Sequence, residues 1–298
     1  MILARLTRSR HLPPRDSETQ RVTAPPAQFV EHMVAFHEAM GTAYADWGAG
    51  VNRRVAGRLA ELADVQPAEK ALDVGCGTGL VTRRLGARRS EGGLATGVDV
   101  ATRLVGLARR DNPHDAAFGV MAAEDLGFKR RSFDAVTIGQ TLAYLADPDR
   151  GLAEAHRVLR RGGRLAVSCR RRSLSTRAQG LFFTRLADLA GRHPFKIPRP
   201  PQDRAIFGEP RVLTAMLKEA DFVDISTTQL VIGQRTDDAH AWTELMMGAG
   251  PFPHAVLSVL GPRLRSEFET QLDEAMRELG EGAFHFHHAF TFAVARRL

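Results

Sequence analysis

The stretch that decides the fold is LDVGCGTG, at residues 72–79. It follows a short apolar run that predicts a strand at residues 71–74, and it precedes a predicted helix at residues 79–85. Glycines at positions 75, 77 and 79 allow a sharp turn and let a ligand approach the main-chain N–H groups. A dinucleotide-binding fingerprint would need glycine at position 80, where Leu80 stands, so this spacing argues against a nicotinamide-dependent oxidoreductase.

Strands and helices alternate on the carboxyl side of this loop. Further strands are predicted at residues 94–98, 117–121, 133–138 and 165–169, and Asp147-Pro148 is a typical helix start. Two last strands are predicted at residues 223–231 and 286–295. The alternation predicts an α/β protein with a parallel sheet covered on both faces. Ligands of such sheets bind beyond the carboxyl ends of the strands, where Asp99 follows the second strand and can accept both hydroxyls of a ribose.

Three motifs together resemble the class I S-adenosylmethionine (SAM) dependent methyltransferases: DVGCGTG at 73–79, GVD at 97–99, and AEDL at 123–126 followed by SFDAV at 132–136. The subgroup they resemble most is the small-molecule enzymes like those of ubiquinone and menaquinone biosynthesis. The resemblance runs from about Tyr44 to Cys169 and is weaker over residues 207–222. It implies a Rossmann-like, doubly wound sheet of seven strands, mostly parallel with an antiparallel last strand. It also implies SAM as cofactor and a small-molecule methyl acceptor.

The same resemblance implies a set of cofactor contacts. The methionine part of SAM would be surrounded by Asp73, Gly75, Cys76 and Gly77, and the ribose would be held by Asp99. The adenine would be flanked by Val100, Ala123 and Glu124, and the sulfonium end would lie over Gln140 and Thr141. Tyr44 would close over the cofactor. Four positions depart from the family. Ala122 stands where Asp or Asn is usual, Gly127 and Arg161 stand where Pro is usual, and Tyr144 stands where His is frequent.

Methyl transfer from a sulfonium is an in-line displacement, so the protein mainly has to align the reacting atoms. A general base helps when the acceptor is a phenol, a carboxylic acid or a carbon atom. The sequence offers four candidates, namely Tyr144, His37, His240 and His254. Tyr144 follows the fourth strand and His37 lies on the predicted N-terminal helix, whereas the other two lie in the C-terminal part. For each of them, a structural or surface role is the alternative.

The chain divides into four predicted parts. Residues 1–26 are a poorly ordered basic arm, 27–66 an N-terminal helical lid, 67–172 the SAM-binding core, and 173–298 the acceptor-side insertions with the last strands. Helices in this last part would complete the lid. Its apolar residues favour an apolar or aromatic acceptor, methylated on O or C: Phe182, Phe183, Phe195, Phe207, Trp242, Met246, Met247 and Phe252.

Composition limits the partners. The net charge of +7 comes from arginines spread along the chain, and only two Tyr and two Trp are available for base stacking, so nucleic acid is not an expected partner. No apolar run approaches the ~20 residues of a membrane helix, and we expect a cytoplasmic protein. Arg170-Arg171-Arg172 is either a basic rim that attracts an acidic substrate or a solvated run.

No metal is expected. The two cysteines lack zinc-site spacing, and His285, His287 and His288 are explained by a strand. The oligomeric state is open, and exchange of the arm and first helix between two copies would give a homodimer. Two other functions stay open as alternatives: a SAM-binding protein that catalyses another reaction or acts as a partner, and an RNA or protein methyltransferase.

Overall fold

The computed structural model describes residues 27–45, 47–87, 93–111, 116–192 and 206–298. The predicted arm, residues 1–26, and Phe195 lie outside the described residues. The helices are α1 (Ala27–Met40), α2 (Trp47–Ala63), α3 (Leu80–Gly86), α4 (Thr102–Asp111), α5 (Pro148–Val158), α6 (Arg177–Arg192), α7 (Pro210–Glu219), α8 (Ala239–Met247), α9 (Pro251–Ser258) and α10 (Pro262–Arg277). The strands are β1 (Lys70–Val74), β2 (Leu94–Asp99), β3 (Ala117–Val120), β4 (Phe133–Gly139), β5 (Leu159–Arg170), β6 (Phe222–Arg235) and β7 (His285–Arg297).

The seven strands form one sheet in the order β3-β2-β1-β4-β5-β7-β6. The first five strands pair in parallel, and β7 runs antiparallel to both β5 and β6. The predicted seven-stranded α/β fold with an antiparallel last strand is therefore confirmed. Because the chain order reverses at β1, β2 and β4 lie on either side of β1, and a crevice opens at the carboxyl ends of these strands.

Helix α5 shows how local chemistry sets an element boundary. Asp147 is its N-cap and accepts a hydrogen bond from the Arg150 main-chain N–H (3.0 Å), with Pro148 in the first helical position. Strand β5, in contrast, begins six residues before its predicted start at residue 165. Gly162 and Gly163 are typical of the end of a helix, but the strand continues through them, with a register shift against β4 and a left-handed Gly162 (φ 73°).

Helices α5 and α7 pack on the sheet in the main core, and two further helical groups add apolar clusters of their own. Helix α2 packs Val51, Val55 and Leu59 into an apolar cluster with β1, β4 and β5. Helices α6, α8, α9 and α10 build a second core of their own. The two groups meet at Trp47, whose Nε1–H donates to the Leu245 carbonyl (2.7 Å) and whose indole leaves no room for a side chain at position 248.

This second core corrects one sequence-based expectation. Phe182, Trp242 and Met246 are fully buried within it, and Phe207 is buried in the main core. None of the described residues among the eight predicted to line an acceptor pocket lines the cavity described below. The reason is that the C-terminal helices turn their apolar faces toward one another and toward β7. Among the described helices, none has the length and apolarity needed to cross a membrane.

Candidate functional site

A cavity of about 540 Å³ lies at the carboxyl ends of β1, β2 and β4. Helices α1 and α2 form one wall, and the loops after β1, β2, β3 and β4 form the other. It is lined by all eleven residues predicted to contact the cofactor: Tyr44, Asp73, Gly75, Cys76, Gly77, Asp99, Val100, Ala123, Glu124, Gln140 and Thr141. Two of the four base candidates, His37 and Tyr144, line it as well.

The glycine-rich loop is held by the strand next to it. The N–H groups of Gly75 and Cys76 both donate to the Val98 carbonyl, at 2.8 and 3.0 Å. The Gly77 N–H donates to Asp99 Oδ2 (2.8 Å), while Asp99 Oδ1 accepts from the Ala101 N–H (2.9 Å). The Asp99 carboxylate is thus fixed in orientation at the mouth of the loop, and each oxygen keeps a lone pair for a ligand hydroxyl.

Two of the loop glycines are needed for different reasons. Both have left-handed φ angles, 71° at Gly75 and 54° at Gly77. A Cβ atom at Gly75 would lie 2.1 Å from Thr141 Oγ1, so this glycine allows β1 and the loop after β4 to approach closely. A Cβ atom at Gly77 would meet nothing within 4 Å, because Gly77 faces the open cavity.

Asp73 lies beneath the loop and is only 1% exposed. Its Oδ2 accepts from the N–H (3.1 Å) and the hydroxyl (2.7 Å) of Thr82, and its Oδ1 accepts from the Thr137 hydroxyl (2.8 Å). Burial raises the pKa of this carboxyl to about 6, against the lowering effect of the hydrogen bonds from Thr82 and Thr137. Through these hydrogen bonds the Asp73 carboxylate links β1 to α3 and β4.

One end of the cavity suits an adenosine group. Val100 is 57% exposed and lies beside the fixed Asp99 carboxylate, and Ala122 and Ala123 line the same end. Glu124 Oε1 accepts from the main-chain N–H groups of Ala146 (2.7 Å) and Asp147 (3.2 Å). This contact ties the loop after β3 to the start of α5. At Ala122 the wall offers a methyl group where a polar side chain is usual in the family.

The other end of the cavity is lined by aromatic and polar side chains. The His37 ring lies edge-on to Tyr44 (5.2 Å between centroids) and to Tyr144 (6.0 Å). His37 Nδ1 is 2.8 Å from the Met33 carbonyl, which requires the proton on Nδ1 and leaves Nε2 as the basic nitrogen. Burial lowers the pKa of His37, so the ring is neutral at pH 7.

The remaining two base candidates lie elsewhere. His240 is exposed at the start of α8 and pairs with Glu269 (Nδ1 to Oε2 3.0 Å). His254 lies in α9 and packs edge-on against Phe36 of α1, with ring centroids 5.3 Å apart. Neither of them belongs to the cavity wall formed by the described residues.

Sequence reasoning missed two polar residues of this wall. Asn52 is buried in α2, and its Nδ2 donates to the Tyr44 carbonyl (2.7 Å). Its Oδ1 accepts a long hydrogen bond from Gln140 Nε2 (3.5 Å). Ser168 is 0% exposed in β5, and its hydroxyl has no hydrogen-bond partner among the described residues. Ser168 is a polar residue within an apolar stretch, which is the signal that could have identified it, whereas Asn52 is followed by two arginines and carries no such signal. The described residues contain no group of three potential metal ligands.

Comparison with known proteins agrees with this geometry. Residues 72–167, which run from β1 to β5, match the methyltransferase domain family. This part of the chain is a methyltransferase domain. The loop, Asp99 and the residues after β4 all lie within it, whereas α1, α2 and the C-terminal helices lie outside it.

Several named relatives share this domain. The demethylmenaquinone methyltransferase of Thermotoga maritima is 37% identical over 40% of this chain and 51% of its own length. The nocamycin O-methyltransferase of Saccharothrix syringae is 28% identical over 64% of this chain and 73% of its own length. Among solved structures, the [4+2]-cyclase SpnF has a TM-score of 0.53 at 18% identity, over 93% of this chain and 98% of its own. With several of the relatives it matches first, the chain spans only about a third to a half of their length.

The residues around the cavity fit SAM. Gly77 gives open space beside the loop, Asp99 presents a fixed carboxylate, and Val100 and Ala123 give an apolar surface for a purine. One cavity thus combines a fixed carboxylate, an apolar surface and an open approach to the main chain, which are the features that suit a ribose, a purine and the rest of SAM.

Proposed function

We propose that this protein is a SAM-dependent methyltransferase that acts on a small apolar or aromatic molecule by O- or C-methylation. The observation that carries the proposal is the Asp99 carboxylate, fixed by the N–H groups of Gly77 and Ala101 at the open side of the glycine-rich loop. When bound, SAM supplies a methyl group activated on a sulfonium. Apolar side chains beside the aromatic end of the cavity support an apolar acceptor: Met33, Val34, Val55, Ala56, Leu59 and Leu145.

In this proposal each residue of the site has its own role. Asp99 binds the ribose hydroxyls, Val100 and Ala123 contact the adenine, and the loop containing Gly75, Cys76 and Gly77 approaches the methionine part. Asp73 keeps the loop on the sheet, and Glu124 keeps the loops after β3 and β4 together. Gln140 and Thr141 flank the reacting end, and Tyr44 and Tyr144 exclude water from it.

Ligand binding tests the proposal directly. We expect SAM and S-adenosylhomocysteine, but not NAD, to raise the melting temperature, since a ligand at 100 times its Kd adds about 2.7 kcal/mol of stability. Asp99→Ala should weaken calorimetric binding of both adenosyl ligands about 10- to 100-fold, the usual value of hydrogen bonds to a charged group. Asp125→Ala, an exposed acid outside the cavity wall, is the matched control. Well-folded protein that binds neither adenosyl ligand would refute the proposal.

His37 is our choice of general base. Its proton lies on Nδ1, its Nε2 is free to accept a proton, and its lowered pKa keeps it neutral at pH 7. We expect His37→Ala to lower kcat by about 10²- to 10⁴-fold with an acceptor that requires a base, and to leave S-adenosylhomocysteine binding within a few-fold. His240→Ala should change neither kcat nor S-adenosylhomocysteine binding. If the two variants have the same kcat, the base is another group.

The pH dependence follows from the same pKa. Because the folded-state pKa of His37 lies below the ordinary histidine value of 6.5, the base stays active across neutral pH and is lost only at pH values below 6.5. We expect kcat to be flat from pH 7 to 8 and to fall on the acid side of 6.5. An NMR titration of the His37 ring, assigned with His37→Gln, measures the pKa without an acceptor. A midpoint above 6.5 would contradict the assignment.

One observation favours a second candidate function. The [4+2]-cyclase SpnF has the same fold, so the fold alone does not set the reaction. A SAM-binding protein that catalyses another reaction would bind the adenosyl ligands yet release no S-adenosylhomocysteine with any acceptor. An RNA or protein substrate is the weaker alternative.

We further propose the division into arm, lid, core and acceptor-side segments, a cytoplasmic location, and a homodimer as the oligomeric state to test.

A further inference from the structure

A group of basic side chains lies on the side of the sheet opposite the cavity, where β4 and β5 begin. It comes from three stretches that are separate in the sequence: the loop before β4, the first residues of β5 and the end of β7. The exposed members of this basic surface are Lys129, Arg130, Arg131, Arg161 and Arg296. The fold thus concentrates charge that the sequence distributes along the chain.

Main-chain contacts hold the three stretches together. The Arg131 N–H donates to the Arg157 carbonyl (3.1 Å), which joins the loop before β4 to the end of α5. Arg296 lies opposite Arg164 in the pairing of β7 with β5, and its Nη1 donates to the Gly162 carbonyl (3.2 Å). The backbone positions of the basic surface are therefore set by the sheet.

A buried arginine adds to the charge of this surface. Arg297 is 5% exposed, and its Nη1 donates to three main-chain carbonyls between His156 and Leu159. Its Nε has no hydrogen-bond partner among the described residues. Burial lowers the pKa of Arg297, and the positive charges of three exposed arginines lower it further. These three, which therefore lie close together around it, are Arg131, Arg130 and Arg161.

Acidic side chains neutralise other arginines of the same region but not these. The ion pairs are Arg157 with Glu154 (2.6 Å), Arg160 with Asp134 (2.7 Å), and Arg164 with Glu69. Within the described part of the chain, none of the five exposed members of the basic surface has a carboxylate at ion-pair distance, apart from any on residues that the structure does not describe. Like charges without counter-charges repel one another, so an anionic partner would relieve this repulsion on binding.

We propose that the basic surface binds the phosphate backbone of a nucleic-acid double helix without reading its sequence. A guanidinium group matches a phosphate with two parallel hydrogen bonds, and each phosphate that is neutralised releases counter-ions from the duplex. A duplex presents its phosphates outward, so its binding needs no stacking on aromatic rings. The described part of the basic surface indeed has no exposed aromatic side chain.

The position of the basic surface separates it from methyl transfer. Strand β4 runs for seven residues, about 20 Å, from Phe133 beside the basic surface to Gly139 at the cavity. A duplex bound here is thus a partner of the protein and not its methyl acceptor. An anionic membrane bound here would leave the cavity facing away from the bilayer, so that an apolar acceptor could not enter from it. This favours the duplex as the occupant.

The salt dependence of duplex binding tests the inference. The full chain is titrated into a fluorescein-labelled DNA duplex of about 20 base pairs, and into the matching RNA duplex, between about 50 and 200 mM NaCl, with anisotropy as the readout. The logarithm of the binding constant falls by about 0.9 per neutralised phosphate for each unit of log salt, so we expect a slope of about −3 to −5. Arg130→Gln/Arg131→Gln/Arg161→Gln should make the slope shallower by about 2 to 3 and weaken binding at least about 10-fold at the lowest salt.

The matched control removes the same charge elsewhere. Arg177→Gln/Arg185→Gln/Arg192→Gln replaces three exposed arginines of α6 and has the same net charge as the first triple variant. Its slope should stay within about one of the wild-type slope. Equal weakening in the two triple variants would mean that the net charge of +7, and not the basic surface, attracts the duplex.

Two further outcomes would overturn the inference. One is the absence of salt-dependent binding to either duplex. The other is binding of wild type to phosphatidylglycerol vesicles in co-sedimentation without binding to a duplex, which would assign the surface to a membrane. The melting temperature and S-adenosylhomocysteine binding should be unchanged in both triple variants. If one of them is misfolded, the corresponding single substitutions replace it, and each of the three on the basic surface should make the slope shallower by about one.

Discussion

Replacing Gly75 with alanine is expected to lower both the stability of the protein and its affinity for SAM. The new methyl group would lie 2.1 Å from Thr141 Oγ1 and 2.4 Å from Thr141 Cγ2, so one of the two loops must move. The residue also has φ 71°, where an L side chain costs about 1–2 kcal/mol. Overpacking adds about 1–3 kcal/mol, which makes a total loss of about 2–5 kcal/mol in the free energy of unfolding.

The neighbouring Gly77 provides the matched control. It shares the left-handed backbone, with φ 54°, but an added Cβ meets nothing within 4 Å. Gly77→Ala should therefore show only the backbone cost in urea unfolding. The double variant Gly75→Ala/Thr141→Gly should recover part of the loss, because it removes the contacting side chain. Equal destabilisation by the two alanines, with no recovery in the double variant, would show that contact with Thr141 is not what requires Gly75.

The parts of the site that the sequence predicted are those set by local chemistry. The turn at residues 75–79, the carboxylate at Asp99 and the N-cap at Asp147 each depend on a few consecutive residues, and the structure has them where the motifs indicated. The early start of β5 was missed because Gly162 and Gly163 are typical of a helix end, although a sheet accommodates them as a bulge.

Residues whose importance depends on distant partners could not be predicted. Ser168 is significant only because its buried hydroxyl lies at the cavity without a partner among the described residues, and Asn52 only because the main chain of Tyr44 lies within reach. The same limit explains the aromatic residues of the C-terminal part. Composition shows that Trp242 is apolar, but not whether its helix packs on the cavity or on other helices, and here it packs on other helices.

Asp73→Leu is expected to destabilise the protein by at least about 3 kcal/mol, because it leaves three buried donors of Thr82 and Thr137 without an acceptor, at about 1–3 kcal/mol each. Asp73→Asn should cost much less. Its amide oxygen can replace Oδ2, which accepts from both donors of Thr82, while its NH₂ group donates to the Thr137 hydroxyl after that hydroxyl rotates. Urea unfolding at pH 7 measures both. Similar losses in the two variants would mean that negative charge, rather than acceptor geometry, is what this position requires.

The pH dependence of the free energy of unfolding, compared between wild type and Asp73→Asn, also separates the effect of charge from that of acceptor geometry. The pKa of Asp73 is raised from the ordinary aspartate value of 3.8 to about 6, so between these values the folded state holds the proton more tightly than the unfolded chain. The stability that comes from this group is complete below pH 3.8 and is lost as the pH rises through 6, a change of about 3 kcal/mol. Asp73→Asn has no such titration. We therefore expect the advantage of wild type over Asp73→Asn to shrink from pH 4 to pH 7. If the stability of wild type relative to Asp73→Asn instead grows with pH, the hydrogen bonds from Thr82 and Thr137, together with the start of α3, stabilise the carboxylate more than burial disfavours it.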